Sequence, residues 1–450
     1  MLRVRRVNRG QPDHRDLRGS RDEKHRVLKA ETQDTLARQQ LSVIGPRFFF
    51  VPKDFSLGNE FMAWPGLREI FPVMATGVGT GKDGAFVSFD RAPLVRLAED
   101  IADEEIGPEE LHERYGLKDT GGWNFSRRRS AFELRGALEP RICEYYYRPF
   151  DVRYVLYDPI IRRDQRQHMR HMQADNVALL VSAQQSTLAF HHVMCSDRIV
   201  DESALSNRTK ERCYVVPLYL YSGGGSHAEL DLGERELRCN ISSSLMQRVS
   251  RGLGCEWIGA RGGSTSREIG AADVFAYTYA LMHSPTYRER YAEFLRIDMP
   301  RVPMTRSLDA FRALAEVGSR LVNLHLMRDP RPDVAATSFI GSRGLPVESV
   351  SYTEGTVWID RRRTRGFTGV TEETWGFRVG CYQVCEKWLK DRQARGGKRP
   401  RPGRVLTDDE IERYRNLVAV LGETIRAMRS VDDIVEVHGG WPGAFEGIKE

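Results

Sequence analysis

The stretch from Tyr145 to Met172, YYYRPFDVRYVLYDPIIRRDQRQHMRHM, most constrains what this chain can fold into. The alternating side chains of RYVLY predict one half-buried β-strand. The Asp158-Pro159 pair that follows is typical of a turn. Beyond this pair the stretch carries many arginines and few acids. We therefore predict a strand that ends in a basic, partly solvated loop.

The basic side chains of this stretch suit an anionic partner. An arginine offers a planar fork of donors that matches a phosphate or the acceptor edge of guanine, and neighbouring tyrosines can stack or form hydrogen bonds. The candidate DNA contacts here are Arg148, Arg153, Arg162, Arg163, Arg166 and Arg170. A strand whose arginines form only its solvated face explains the same residues equally well, so the residues alone leave both interpretations open.

Positive charge is unevenly distributed along the 450 residues. The whole chain has a formal net charge of +6, but residues 361–404 alone contain thirteen Lys or Arg and four Asp or Glu, an excess of +9 (13 − 4). Local patches of this kind favour phosphate binding, because each neutralised phosphate releases counterions. Arg361, Arg362 and Arg363 follow a predicted hairpin of VESVSY and TVWID, and they join the candidate DNA contacts.

Glutamines follow another predicted strand. NVALLVSAQQS, residues 176–186, predicts a buried strand that leads to Gln184 and Gln185. A glutamine amide can pair with adenine in the major groove, although a glutamine at a strand end is more often simply exposed. LAFHHVM (188–194) and CYVVPLYLY (213–221) predict further strands. His191 and His192 would point to opposite faces of such a strand, so no metal site is predicted.

The remaining patterns predict a mixed α+β fold. Helical periodicity and caps occur in four regions, at residues 91–118, 273–295 with a break at His283-Ser284-Pro285, 307–327, and after a capping box at Thr407. A helix is also predicted over residues 20–41, and a glycine-rich hairpin over 73–90, VMATGVGTGKDGAFVSFD. Trp358, Trp375 and Trp388 are predicted to share a local core.

The run YRPFD-x-R, followed by YDP, basic residues and MRHM, resembles the C-terminal part of type ISP restriction-modification enzymes. The resemblance continues in FFFVPKDFSL (48–57), PLYLY (217–221), LMHSPTYRERYAEFLRIDMPRVP (281–303), LVNLHLM (321–327), GTVWI (355–359) and GCYQVCEKWLKDR (380–392). It covers roughly Arg21 to Asp433 and preserves the order of the segments. Members of this family combine nuclease, helicase, adenine methyltransferase and target-recognition parts in one bacterial chain.

The resemblance implies a domain organisation. Residues 1–45 would be a polar lead-in and helix, the remnant of a truncated α/β methyltransferase domain, and residues 46–140 the end of that domain. Residues 141–330 would form the first part of a strand-rich target-recognition domain. Residues 331–450 would supply its C-terminal hairpin and helical part, so that the strands pack with C-terminal helices.

Catalytic motifs of this family are not found in the sequence. The nearest string to the methyltransferase motif, Asp158-Pro159-Ile160-Ile161, lacks the second proline and the aromatic residue that stacks on a flipped base. We expect no catalytic residue, no metal and no cofactor in this chain, with S-adenosylmethionine bound only by an upstream methyltransferase portion. The chain alone would then not transfer methyl groups.

The expected function is sequence-specific recognition of double-stranded DNA. Two alternatives stay open: a non-catalytic partner that completes an adenine methyltransferase with a separate catalytic, or helicase-nuclease, polypeptide, and a scaffold that binds RNA or protein. The sequence has neither a long apolar run for a membrane span nor a secretory signal. Its seven cysteines form no CxxC pair. We therefore expect a cytoplasmic protein with reduced cysteines.

Overall fold

The computed structural model describes residues 13–14, 17, 19–32, 39–40, 56–130, 132, 141–187, 189–208, 211–222, 237–260, 267–328, 336–396 and 402–445. The chain divides into two compact units, Met1–Phe61 and Met62–Glu450. Most residues of the segment predicted to be a methyltransferase remnant, and most of FFFVPKDFSL, lie outside the described residues.

Apart from the helix Gly58–Met62, which ends one residue into the second unit, the described part of the first unit contains one helix and a pair of two-residue strands. These are β1 (Asp13–His14), α1 (Arg21–Ala30) and β2 (Gln39–Gln40), with β1 antiparallel to β2. A capping box between Ser20 and Glu23 starts α1. The helix has no buried residue, and Glu31 is already extended. The predicted helix over 20–41 is therefore too long, because no apolar face supports further turns.

Short strands occur along most of the second unit. They are β3 (Ala75–Thr76), β4 (Val87–Ser88), β5 (Ile142–Arg148), β6 (Asp151–Leu156), β7 (Ala178–Ser182), β8 (Val193–Ser196), β9 (Ile199–Val200), β10 (Cys213–Pro217), β11 (Tyr219–Tyr221), β12 (Leu237–Cys239), β13 (Glu256–Trp257), β14 (Glu268–Ile269), β15 (Ser338–Ile340), β16 (Ser351–Thr353), β17 (Thr356–Trp358), β18 (Gly366–Thr368), β19 (Arg378–Val379) and β20 (Tyr382–Gln383). Among the described residues, three sheets have four strands, in the orders β3-β10-β7-β8, β4-β6-β5-β9 and β15-β18-β17-β16.

Helices alternate with these strands along the chain, and the longest of them are near its C-terminal end. They are α2 (Gly58–Met62), α3 (Leu67–Ile70), α4 (Asp83–Phe86), α5 (Ala92–Ala102), α6 (Pro108–Tyr115), α7 (Phe125–Arg129), α8 (Arg166–Met169), α9 (Ser243–Leu253), α10 (Ala271–His283), α11 (Pro285–Arg290), α12 (Ala292–Leu295), α13 (Leu308–His325), α14 (Glu372–Gly376), α15 (Val384–Lys390) and α16 (Asp408–Val437). The break between α10 and α11 and the capping box of Thr407 at the start of α16 are confirmed. The mixed α+β fold class is confirmed as well.

The β5–β6 hairpin forms the centre of the strand-rich region. Its turn places Phe150 at φ 61°, and Tyr145 and Tyr146 are buried in the core. The strand predicted for RYVLY is thus confirmed as β6. Leu94, Leu97 and Ile101 form the buried face of α5 and belong to the same hydrophobic core.

The glycine-rich segment at 73–90 does not form the predicted hairpin. β3 pairs with β10, whereas β4 pairs with β6 in a different sheet. The Thr80 hydroxyl donates a hydrogen bond to Asp83, and the short helix α4 starts there. The prediction was wrong because pairing with strands distant in sequence outweighed the local turn signal.

Helices α10 and α13 pack closely at Gly318. A Cβ atom added at Gly318 would lie 1.8 Å from the backbone oxygen of Ala276, and nearby Tyr277 stacks on Phe311 with ring centroids 4.6 Å apart. The missing side chain therefore permits the close approach of the two helices.

We expect Gly318→Ala to lower the free energy of unfolding by about 2 kcal/mol, because the helices must separate to admit the methyl group. Chemical denaturation followed by circular dichroism measures the change. Gly422→Ala is the matched control: it lies within α16, where the nearest atom to a new Cβ is 4.0 Å away, and should be neutral or stabilise by up to about 1 kcal/mol. Equal effects of both substitutions would contradict the packing argument.

Candidate nucleic-acid interface

The basic loop, which we define as residues 157–172, is held to the body of the protein by its backbone. Gly79 and Arg163 exchange two backbone hydrogen bonds of 2.9 Å. The Tyr157 hydroxyl donates to the carbonyl of Asp164 at 2.7 Å. A Cβ atom at position 79 would lie 2.7 Å from the carboxylate of Glu202, so the Glu202 side chain would have to move away. The loop conformation is therefore set by contacts distant in sequence.

Two side chains from the 123–129 region hold the start of the basic loop. The indole N–H of Trp123 donates to Ile160 at 2.8 Å. Nη1 of Arg128 donates to the carbonyls of Pro159 and Ile161, each at 2.6 Å. Arg128 therefore acts as a clamp on the backbone.

The four arginines of the basic loop differ in whether a carboxylate is paired with them. Arg162 and Arg170 are exposed, and neither side chain has a hydrogen bond or ion pair with a residue that the structure describes. Arg163 is paired with Glu202 at 3.0 Å and Arg166 with Asp164 at 3.1 Å, and all four of these side chains are partly exposed. Arg162 and Arg170 are thus the most available to an anion.

Arg148 is buried, with 7% of its surface exposed. Its guanidinium lies 3.0 Å from Asp201 and 3.8 Å from the ring centre of Tyr147. Burial raises the pKa of Asp201 to about 6 although Arg148 opposes the shift. Arg148 therefore neutralises an internal carboxylate and is not accessible to a phosphate in this conformation.

Arg153 is buried to a similar degree, with 9% of its surface exposed. It lies 2.6 Å from Asp151 and 2.7 Å from Asp391, and it stacks on Phe89 with 4.2 Å to the ring centre. These contacts give Arg153 a structural role in the observed conformation, like that of Arg148.

Arg361, Arg362 and Arg363 form an exposed turn between β17 and β18. The carboxylate of Asp360 accepts backbone hydrogen bonds from Thr364 and Arg365, at 3.0 and 2.9 Å. No described residue forms a hydrogen bond or ion pair with the three arginine side chains. The turn therefore presents three unneutralised guanidinium groups on a backbone that Asp360 fixes.

The two glutamines after β7 have different environments. Gln184 is exposed, whereas Gln185 has only 7% of its surface exposed. Neither Nε2 nor Oε1 of Gln185 has a hydrogen-bond partner among the described residues. Asn207 and Arg208 were not predicted from the sequence as candidate DNA contacts, although Arg208 forms a hydrogen bond with Ser186 in the loop that carries Gln184. The polar and basic segment SNRTKER at 206–212 could have indicated them.

Other kinds of site find little support in the described part of the chain. No group of three or more His, Cys, Asp or Glu residues there could hold a metal ion. The strand predicted over 188–194 begins only at Val193, so His191 and His192 precede it. None of the described helices combines the length and apolar character needed to cross a membrane. All seven cysteines are free thiols.

Two solved structures with a similar fold are of type ISP restriction-modification enzymes. A nuclease-deletion mutant of LlaGI in complex with a DNA substrate mimic matches with a TM-score of 0.63 and 17% identity, over 92% of this chain and 32% of that one. ATP-dependent LlaBIII bound to DNA matches with a TM-score of 0.60 and 17% identity, over 83% of this chain and 24% of that one.

A third structure, the DrdV–DNA complex, has a TM-score of 0.64 and 18% identity, over 93% of this chain and 42% of that one. The chain thus spans less than half the length of these proteins. Residues 69–430 match the family described as the type ISP C-terminal specificity domain, and the chain belongs to that family. No curated protein matches it.

Proposed function

We propose that this chain recognises a specific sequence in duplex DNA as the specificity portion of an adenine-methylating restriction-modification enzyme. The Arg361–Arg363 turn carries the proposal, because three exposed guanidinium groups without a described acidic partner on a fixed backbone suit phosphates. The exposed Arg162 and Arg170 add further positive charge, whereas Arg163 and Arg166 are each paired with a carboxylate. The DNA-bound state of the solved relatives supports the same partner.

Replacing Arg361, Arg362 and Arg363 together with alanine should weaken binding to duplex DNA similarly for all sequences. Each lost phosphate contact should lower the slope of log K against log salt by about 0.9, hence by about 2 to 3 for the triple variant. Fluorescence anisotropy with a mixed-sequence duplex across a salt series measures this slope.

A matched control removes the same charge elsewhere. Arg320, Arg426 and Arg429 are exposed but paired with Glu423 or Glu373, so their triple alanine variant should change the slope much less. Equal slopes for both variants would mean that the loss of net charge alone, and not the position of the arginines, changes the salt dependence of binding. Tighter binding of wild type to single-stranded DNA or RNA than to any duplex would favour the scaffold alternative.

In this proposal, the chain recognises DNA and a separate methyltransferase portion transfers the methyl group. The methyl donor S-adenosylmethionine would be bound by a methyltransferase portion outside this chain, and the chain by itself would leave DNA unmethylated. Incubation with labelled donor and duplex DNA, with and without a separate type ISP methyltransferase polypeptide, tests this. Incorporation of label into DNA by the chain alone would contradict this separation of DNA recognition from methyl transfer.

A further inference from the structure

A buried carboxylate joins two loops next to β7. Glu211 is 1% exposed. It accepts hydrogen bonds from the Ser186 backbone N–H at 2.5 Å, from the Ser206 hydroxyl at 2.5 Å and from Nε2 of His192 at 3.1 Å. Ser186 belongs to the loop 183–187 and Ser206 to a second loop. Glu211 therefore fixes the position of one loop relative to the other.

The charge state of this cluster is well defined. Burial alone would raise the pKa of Glu211, but the hydrogen bonds from Ser186 and Ser206 outweigh it and lower the pKa to about 2. Burial lowers the pKa of His192 although Glu211 opposes the shift. A neutral histidine beside an ionised glutamate persists over the physiological pH range, so the anchor does not change with pH.

The two loops present polar side chains to solvent side by side. Gln184, Asn207 and Arg208 are exposed. Nη1 of Arg208 donates to the Ser186 hydroxyl at 2.6 Å, which places the arginine across the loop that carries Gln184. Nε and Nη2 of Arg208 have no partner among the described residues. Asn207 lies next to Arg208 in the chain, and its Oδ1 accepts a hydrogen bond from Sγ of Cys381 at 3.5 Å. An arginine with two unused donor atoms and two exposed amides therefore lie on the loops that Glu211 joins.

Gln185, the neighbour of Gln184 in the same loop, is buried. Its amide group is more than nine-tenths buried and unpaired, while its backbone N–H is fixed by the carbonyl of Arg296 at 3.1 Å. An unpaired buried amide costs about 1–3 kcal/mol, and such groups are rare in folded proteins. Gln185 is therefore not itself accessible to DNA in this conformation, and the base-reading candidates of the loop are its exposed side chains.

We infer that the paired loops, which carry Gln184, Asn207 and Arg208 on the Glu211 anchor, form a base-reading element for the major groove of duplex DNA. Arginine pairs with the O6/N7 edge of guanine, and glutamine or asparagine with the N6/N7 edge of adenine. Glu211 is a positioning residue in this arrangement, since it touches the loops and not the DNA. The inference rests on the proposed function and assigns its sequence-reading residues.

Selection from a random-sequence duplex DNA library, followed by sequencing, tests the inference on the full chain. Wild type should select one motif. Gln184→Ala, Asn207→Ala and Arg208→Ala should each relax one or two positions of that motif, with about a tenfold loss of preference there. Glu211→Gln should relax the same positions, because both loops lose their common anchor. Gln247→Ala and Arg251→Ala, on exposed positions of α9, are matched controls and should select the wild-type motif.

The outcomes separate the inference from the proposed function. If wild type selects no motif, sequence-specific recognition itself fails. If wild type selects a motif that all three surface variants reproduce unchanged, or if these variants lose affinity equally for all sequences, the base-reading assignment is overturned while DNA recognition stands. The surface variants decide the question even if Glu211→Gln does not fold, which a thermal melt of each variant establishes.

Discussion

Asp151→Ala is expected to lower the free energy of unfolding by about 3–5 kcal/mol, because it leaves two buried arginines without their shared carboxylate. Asp151 is 2% exposed. One oxygen lies 2.6 Å from Arg153 and the other 3.1 Å from Arg392. Arg153 and Arg392 are themselves buried, and each would keep one other carboxylate, Asp391 at 2.7 Å and Glu410 at 3.2 Å, which leaves two buried guanidinium groups with one carboxylate too few. Urea denaturation followed by circular dichroism measures the loss.

The effect should depend on pH in a defined direction. Burial alone would raise the pKa of Asp151, but attraction to Arg153 and Arg392 outweighs it and lowers the pKa below the usual 3.8. The stabilisation by Asp151 is therefore present above pH 3.8 and is lost as the pH falls through the lowered value. The difference between wild type and Asp151→Ala should accordingly shrink in acid.

Asp90→Ala serves as the control for this prediction. Asp90 also pairs with an arginine, Arg404, at 2.9 Å, but its side chain is 59% exposed. A solvent-exposed ion pair contributes at most about 1 kcal/mol. A loss of similar size for both aspartates would mean that burial does not determine the energy of these pairs.

Trp388→Ala is expected to lower the free energy of unfolding by about 3–5 kcal/mol, as truncation of a large core aromatic side chain does. Trp388 is 3% exposed on α15, and its ring centre lies 5.4 Å from that of Tyr414 on α16. The guanidinium of Arg392 stacks on the Trp388 ring, 3.4 Å from the ring centre. The substitution would therefore remove contacts between α15 and α16 as well as apolar area. The shift of the denaturation midpoint measures the cost.

Trp358→Ala is the matched control, because Trp358 is only half-buried and its indole N–H bonds to Thr353 within the hairpin. Its truncation should cost clearly less than that of Trp388. Of the three tryptophans predicted to share a local core, Trp388 is buried in the hydrophobic core, and the half-buried Trp375, stacked on Tyr352 with centroids 5.1 Å apart, packs against that core. The prediction therefore holds for Trp388 and Trp375, whereas the half-buried Trp358 is not part of this core. Equal losses at positions 358 and 388 would argue against this division.

Local sequence patterns predicted where strands and helices lie better than they predicted which strands pair with each other. The strand β6, the hairpin of β16 and β17, and the start of α16 depend on side-chain alternation or on a cap a few residues away, and all three are confirmed. The predicted hairpin at 73–90 failed because β3 and β4 pair with strands more than sixty residues away in sequence. The local pattern of a segment predicts a strand, but it does not show which distant strand will pair with it.

The sequence by itself determined the family, the mixed α+β fold and the presence of basic segments, because these follow from residue order and local spacing. Only the tertiary structure decided which arginines remain available to DNA. Arg148 is neutralised by a carboxylate 53 positions away and Arg153 by one 238 positions away. The six arginines of the opening stretch look alike in sequence, but burial and ion pairing depend on residues that only the folded chain brings together.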